Sequence, residues 1–330
     1  MEEAAATLEA ARLLRAALGS EPRALTRQTL TESGNLVFRA DLANGETVAL
    51  RMSARAGSFA WTGHNLAALR QLGLPVPACR AHGVTPTGSY VVLDWLPGED
   101  LARALPALDD DRLAGIAGTV RELQRRVAGL PPSRGYGWAP VGRDAAGSRW
   151  SDLFGAPVSE TSTPVVGTPA AGPAEDPLLG RLRAARRSLE TYFSRVRPIC
   201  FLDDLTTRNL LIANAEVSGV IDVDFVCYGD PLLSVGTTLG NLASEAPGSG
   251  YGIHYGSALL QAWNPTGDAL RAVWFYASLW ALARLRSAES AGGPRAGALR
   301  AEVERMLERA LGRPGGRVSG LLPLSRCGSG

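Results

Sequence analysis

The stretch Phe201–Phe225, FLDDLTTRNLLIANAEVSGVIDVDF, sets two pairs of aspartates, Asp203/Asp204 and Asp222/Asp224, beside strand-like apolar runs. Leu210–Ile212 reads as one strand and Val217–Ile221 as its return, with Asn214-Ala215-Glu216 as the turn. Antiparallel pairing of those strands brings Asn209, just before the first, next to Asp222, just after the second. One amide oxygen and one carboxylate are the start of a site for a hard cation such as Mg2+, to be completed by water and phosphate oxygens. Asp204 lies on the elbow five residues before Asn209, placed to accept the proton of an incoming hydroxyl and align it with a transferring phosphate. Isolated aspartates more often cap turns and face water. Spacing alone leaves both readings open.

Composition narrows the classes. A chain of 330 residues can bury a large core and divide into two lobes. Its formal charge of +2 is nearly balanced, and the 20% of charged residues are intermixed. No basic arm points to a nucleic-acid partner. The N-terminal MEEAAATLEAARLLRAALG reads as an amphipathic helix without the pattern of a secretory signal, and no apolar run reaches the roughly 18 residues of a membrane span. The cysteines (Cys79, Cys200, Cys227, Cys327) and histidines (His64, His82, His254) are scattered. That argues against a zinc site and fits a reducing, cytoplasmic location.

Along the chain, residues 2–18 read as a helix, and Leu36–Leu42 and Thr47–Met52 as strands joined by the hairpin signal Asn44-Gly45. Residues 61–72 have helical spacing, and Tyr90–Trp95 is a strand running into Pro97-Gly98. Helical periodicity returns at 109–128, 178–194, 269–287 and 299–311. The expected division is an N-terminal lobe with leading helix over 1–96 and a helical lobe over 97–311. A Pro/Thr/Ala-rich insertion at 156–177 and a Gly/Pro/Ser-rich tail at 312–330 are expected to be flexible. Clefts between two such lobes are natural ligand sites.

Three pieces recur together downstream: DLTTRN from Asp204 to Asn209, the Ile221-Asp222 pair, and Gly229-Asp230-Pro231. This combination resembles the aminoglycoside phosphotransferase-like family, which shares its fold with protein kinases. The resemblance extends over roughly residues 25–310. It implies an α+β, two-lobed protein-kinase-like fold. It implies Asp204 as the hydroxyl-orienting base, Asn209 and Asp222 as Mg2+ ligands, and Arg51, in TVALRMS, as the catalytic phosphate-binding cation. Gly34 and Asn35, in SGNLVFRA, resemble the nucleotide-covering turn. The backbone around Asp94, Trp95 and Leu96 resembles the segment that bonds the adenine edge. The implied activity is transfer of phosphate from ATP or GTP to a hydroxyl of a small molecule, an antibiotic or antibiotic-like compound, by a monomer or homodimer. Alternatives are a kinase of a primary metabolite such as a sugar, choline or homoserine, or an inactive nucleotide-binding protein of the same fold. The short interval between Asp222 and Asp230 leaves little platform for a peptide substrate.

The sequence departs from the family pattern at several positions. Leu202 stands where a histidine usually props the loop, with packing as its expected substitute role. Arg51 replaces the lysine of protein kinases, and Asn65 replaces the helix glutamate that pairs with it. An amide at 65 is able to bond the guanidinium but adds no counter-charge, leaving that to nucleotide phosphates, Glu32 or another acid. Ser234 occupies the region of an aspartate after the GDP, and Gln124 the end of the first helix of the second lobe. Trp150-Ser151-Asp152 resembles a segment near the substrate mouth. Trp263, Trp274, Tyr276 and Trp280 are expected mainly to pack the lobe.

Overall fold

Strand alternation in the first lobe decides which way Arg51 faces. In a computed structural model, which describes residues 3–28, 34–154, 176–245, 250–292 and 295–312, the first lobe holds α1 (Glu3–Leu18), β1 (Pro22–Gln28), β2 (Leu36–Leu42), β3 (Thr47–Ser53), α2 (Thr62–Gln71), β4 (Cys79–Thr85) and β5 (Gly88–Asp94). The strands form one antiparallel sheet in the order β1-β2-β3-β5-β4. Ala6, Ala10, Leu13 and Leu14 recur at helical spacing on α1 and pack on Phe38, Leu50, Met52 and Val92 of the sheet. Successive strand residues point to opposite faces. With Leu50 under α1, Arg51 therefore projects from the other face, where Val91 and Leu93 pack with Leu66 and Leu69 of α2.

β1 and β4 were not anticipated. Both are edge strands, PRALTRQ and CRAHGVT, with polar and charged residues in place of a clean apolar alternation. The strand expected over Tyr90–Trp95 runs instead from Gly88 to Asp94, with Trp95 just beyond its end.

The second lobe contains β6 (Glu99–Asp100), α3 (Leu101–Ala104), α4 (Asp110–Val127), β7 (Gly137–Ala139), α5 (Pro177–Ser188), α6 (Glu190–Phe193), β8 (Ile199–Phe201), β9 (Leu210–Ala213), β10 (Glu216–Val220), β11 (Val226–Gly229), α7 (Leu232–Glu245), α8 (Gly250–Trp263), α9 (Gly267–Ser290) and α10 (Ala296–Ala310). The helix expected over 178–194 is two: Ser188 Oγ donates back to Ala185 O (2.8 Å) and the chain breaks at Leu189. α7 packs tightly on α9 through Gly236 and Gly240. A Cβ on either would come within 2.4 Å of Tyr276 Cβ or 2.7 Å of Ala277 O. The expected insertion falls outside the described residues up to 175, and the tail from 313.

Two small three-stranded sheets, β10-β9-β6 and β7-β11-β8, carry the site loops on the floor of the cleft. Beneath them Asp230 is buried and accepts from Tyr192 OH (2.7 Å), Tyr276 OH (2.9 Å) and Leu232 N (3.0 Å) at the start of α7. Its role is structural. Trp150, expected near the substrate mouth, is instead a core residue whose Nε1 donates to Tyr276 OH (2.7 Å). Trp274 and Tyr276 are both buried, as packing required. Among the described residues no helix is long and apolar enough to cross a membrane.

Candidate active site

The β9–β10 hairpin forms as its sequence demands. Asn214 and Ala215 take positive φ (53° and 63°) in the tight turn, and Ile212 pairs with Val217. Ile221 N then donates to Asn209 O (2.9 Å), which joins the two ends of the hairpin and brings Asn209 beside the residue preceding Asp222. Asp222 itself has φ of 61°, a left-handed backbone that a non-glycine residue adopts at a cost, of order 1–3 kcal/mol. That turn lifts its carboxylate out of the strand direction and toward the first lobe.

The loop from Leu202 to Asn209 is held from three directions. Leu205, Thr206 and Thr207 are buried, and Ala102 N donates to Thr207 O (3.0 Å). Asn209 Nδ2 donates to Asp204 Oδ2 (2.8 Å) and to Asp204 O (3.0 Å). This leaves the amide oxygen of Asn209 as its available acceptor. Asp204 is open to the cleft but crowded by protein on its other sides. That desolvation, with the nearby carboxylates of Asp203 and Asp222, raises its pKa to about 7. Asp203 is pushed up to about 6, chiefly by burial, while Trp138 Nε1 donates to its Oδ2 (2.6 Å) and opposes the rise.

The third hold explains the departure at Leu202. Gln124, fully buried on α4, pairs with the main chain of Leu202 as a strand would. Leu202 N donates to Gln124 Oε1 (2.9 Å), and Gln124 Nε2 donates to Leu202 O (2.6 Å) and to Ser234 Oγ (3.2 Å). Ser234 Oγ in turn donates to Pro231 O (2.8 Å). Three positions that differ from the family pattern, Gln124, Leu202 and Ser234, are thus joined through the Gln124 amide. They brace the loop together, and the Leu202 side chain packs in the core.

Arg51 reaches across from β3. Its Nη2 donates to Asp222 Oδ1 (2.6 Å) and Asp224 Oδ2 (2.8 Å), its Nη1 to Asp224 Oδ1 (3.1 Å), and its Cζ lies 5.1 Å above the Phe59 ring. Burial works against the charged guanidinium, but the two carboxylates outweigh it and hold the pKa above the usual arginine value. Asp224 moves up from the usual carboxylate range because burial outweighs Arg51. The expected bond from Asn65 to Arg51 is not made. Asn65 Nδ2 donates to Asp224 O (2.6 Å) and its Oδ1 accepts from Val141 N (2.8 Å). With both ends of the amide engaged, it ties α2 to the second lobe instead. The counter-charge for Arg51 is Asp224, with Asp222, and not a residue of α2.

The remaining expected nucleotide contacts are scattered around the cleft. Gly34 has φ of 71° and open space on its Cβ side; Asn35 follows it directly before β2, and residues 29–33 of the covering turn lie outside the described residues. Asp94 is committed to the first lobe: its N–H donates to Ala78 O (2.9 Å) and its Oδ1 accepts from Arg80 Nε (2.5 Å). Trp95 N donates to Thr47 O (3.4 Å), and Arg39 Cζ stacks 5.3 Å from its ring. Of the three, Leu96 has the main-chain N–H that no other main-chain group takes among the described residues. Sequence reasoning did not find Thr62, Trp138 or the pairing role of Asp224. No spacing rule links them, because each contact spans more than sixty positions.

Residues 26–273 match the phosphotransferase enzyme family. The chain belongs to that family. No curated protein sequence matches it. Solved structures with the same fold include a thermostable mutant of the aminoglycoside phosphotransferase APH(4)-Ia in apo form (TM-score 0.66, 19% identity, 92% of this chain and 99% of that one). They also include an amicoumacin kinase in complex with AMP-PNP, Ca2+ and Ami (TM-score 0.57, 13% identity, 94% and 93%). A third is a fructosamine-3-kinase homologue from Haemophilus somnus 129PT (TM-score 0.55, 12% identity, 92% and 96%). At these identities the structural likeness speaks for the fold, a two-lobed kinase-like architecture.

Proposed function

We propose that the protein transfers the terminal phosphate of ATP to a hydroxyl of a small natural product, with Asp204 orienting the hydroxyl and Arg51 gripping the phosphates. The observation that carries this reading is the 2.6 Å bond from Arg51, on the first lobe, to Asp222, on the second. It supports the reading by joining the two residues proposed to bind phosphate and metal, Arg51 and Asp222, across the two lobes. Among the described residues no three His, Cys, Asp or Glu side chains are grouped to hold a metal on their own. The donors Asn209 and Asp222 fit the alternative, a Mg2+ ion completed by nucleotide phosphates and water. Such an ion supplies charge neutralisation on the transferring phosphate.

The chain's own residues do the rest. Asp204, held by Asn209, accepts the hydroxyl proton as the oxygen attacks. A raised pKa suits a base that must take up a proton near neutral pH. Arg51 presents two nitrogens to phosphate oxygens. The N–H of Leu96 is the candidate contact for the adenine edge, with Gly34 and Asn35 above the phosphates. APH(4)-Ia has been crystallised with AMP-PNP and hygromycin B, which supports an antibiotic-like acceptor and an adenine nucleotide here, with GTP as the competing donor. The reading carries with it a cytoplasmic setting and action as a monomer or homodimer.

The test is a transfer screen over hydroxylated antibiotics and primary metabolites with MgATP and MgGTP, the product located by mass spectrometry. One phosphoryl group gained by a small acceptor is expected. Phosphate appearing only on a protein side chain overturns the small-molecule reading.

A further inference from the structure

Arg51 works only if its guanidinium stays aimed across the cleft, and α2 supplies no acid to hold it. The two carboxylates that meet it are not equivalent. Asp222 gives one bond and its side chain is 41% exposed, while Asp224 gives two and is 21% exposed. Asp224 is also fixed from behind. Thr62 Oγ1 donates to its Oδ1 (2.7 Å) and Asn65 Nδ2 to its main-chain oxygen (2.6 Å), and both residues are fully buried on α2. The same helix is pinned to the second lobe by His64 Nε2 on Val141 O (2.9 Å) and by Val141 N on Asn65 Oδ1 (2.8 Å). Among the described residues the Asp222 side chain hydrogen-bonds to Arg51 alone, a partner it can exchange.

We propose that Asp224 is the positioning residue of Arg51, a fixed counter-ion that keeps the guanidinium aimed while Asp222 is released to the metal and nucleotide, and that α2 acts on Arg51 only through Asp224. The counter-charge has thereby moved from the first lobe to the second. Orienting Arg51 and docking the two lobes are thereby linked, since the Asp224 carboxylate meets both Arg51 and Thr62 of α2. This rests on the function proposed above in taking Arg51 and Asp222 as nucleotide-side groups. It does not depend on the identity of the acceptor.

Direct titration of MgATP, followed by calorimetry, separates the two. Asp224→Asn keeps the shape but removes the charge, and is expected to weaken MgATP binding about 10- to 100-fold. Where an acceptor is in hand, the loss falls on kcat/KM for ATP while KM for the acceptor stays within about two-fold. Thr62→Val, which removes one bond to the carboxylate, is expected to give about 3- to 10-fold in the same direction. It serves as the test if Asp224→Asn does not fold. Adding Asn65→Glu to Asp224→Asn returns an acid to α2 and is expected to recover at least about 5-fold. MgATP affinity unchanged within two-fold in both single variants would overturn the proposal. So would a folded double variant with no recovery, which assigns Asp224 to scaffolding alone. If the wild-type chain binds MgATP but phosphorylates no acceptor, the proposed function fails while the affinities still decide the role of Asp224.

Discussion

Replacing Gln124 by leucine tests how the catalytic loop is held without a histidine. The leucine fills a similar volume but offers neither donor nor acceptor. Two main-chain groups of buried Leu202, its N–H and its C=O, then lose the partners they hold at 2.9 and 2.6 Å. An orphaned buried group costs about 1–3 kcal/mol, so Gln124→Leu should destabilise the fold by roughly 2–6 kcal/mol. Ser234 keeps its bond to Pro231 and adds little. Gln124→Glu separates the two halves. Its carboxylate still accepts from Leu202 N but, when ionised, donates nothing to Leu202 O, and the new charge is itself buried. Its cost should therefore ease at low pH, as protonation restores a donor, whereas that of Gln124→Leu should not. Urea unfolding followed by tryptophan fluorescence reads both. A cost below about 1 kcal/mol for Gln124→Leu would refute the brace, since two buried groups cannot be orphaned so cheaply. A stability loss with unchanged turnover would show that the brace supports the core without setting the position of Asp204.

Three further outcomes are expected. Asp203 has a pKa of about 6 in the fold against an ordinary 3.8, so its neutral form is the one the fold favours. That contribution is complete below about pH 3.8 and is lost as pH rises through about 6. Asp203→Asn should therefore stabilise the protein above pH 7, by at most roughly 3 kcal/mol, and not at pH 4, as urea midpoints at the two pH values would reveal. Tyr276→Phe should cost about 1–3 kcal/mol by stranding Trp150 Nε1, more than Tyr192→Phe at a less buried site, in parallel thermal melts. Chelating Mg2+ should abolish phosphate transfer and weaken nucleotide binding, and excess Mg2+ should restore both in the same sample.

The parts of the fold legible in the sequence are those where local pattern and burial agree. The β9–β10 hairpin carried its own turn residues. The period of Ala6, Ala10, Leu13 and Leu14 marked α1, and Asn44-Gly45 marked the β2–β3 hairpin. β1 and β4 were hidden because edge strands face water and carry arginine, threonine and histidine where a buried strand carries valine. α7 was hidden because LLSVGTTLGNLASE is poor in strong helix formers, and its glycines make sense only against α9. At the site, Asp204, Asn209 and Asp222 stood out because the hairpin forces their proximity. Asp224 was visible only as a neighbour of uncertain role, since what defines it, a bond to Arg51 across 173 positions, has no local signature. The departures at Gln124, Leu202 and Ser234 looked like three separate losses in sequence. In space they are one replacement.

In the function proposed above, Asp204 serves the transfer step and not the binding of nucleotide. Asp204→Asn removes the base but leaves an amide that can still meet Asn209, so the loop should persist. With a phosphorylated acceptor identified, single-turnover transfer from MgATP by the wild type and by Asp204→Asn is the most direct measurement, with MgATP affinity measured alongside. A fall of at least about a hundred-fold in the transfer rate with affinity unchanged is the result expected for a general base. Transfer within a few-fold of wild type would contradict the account.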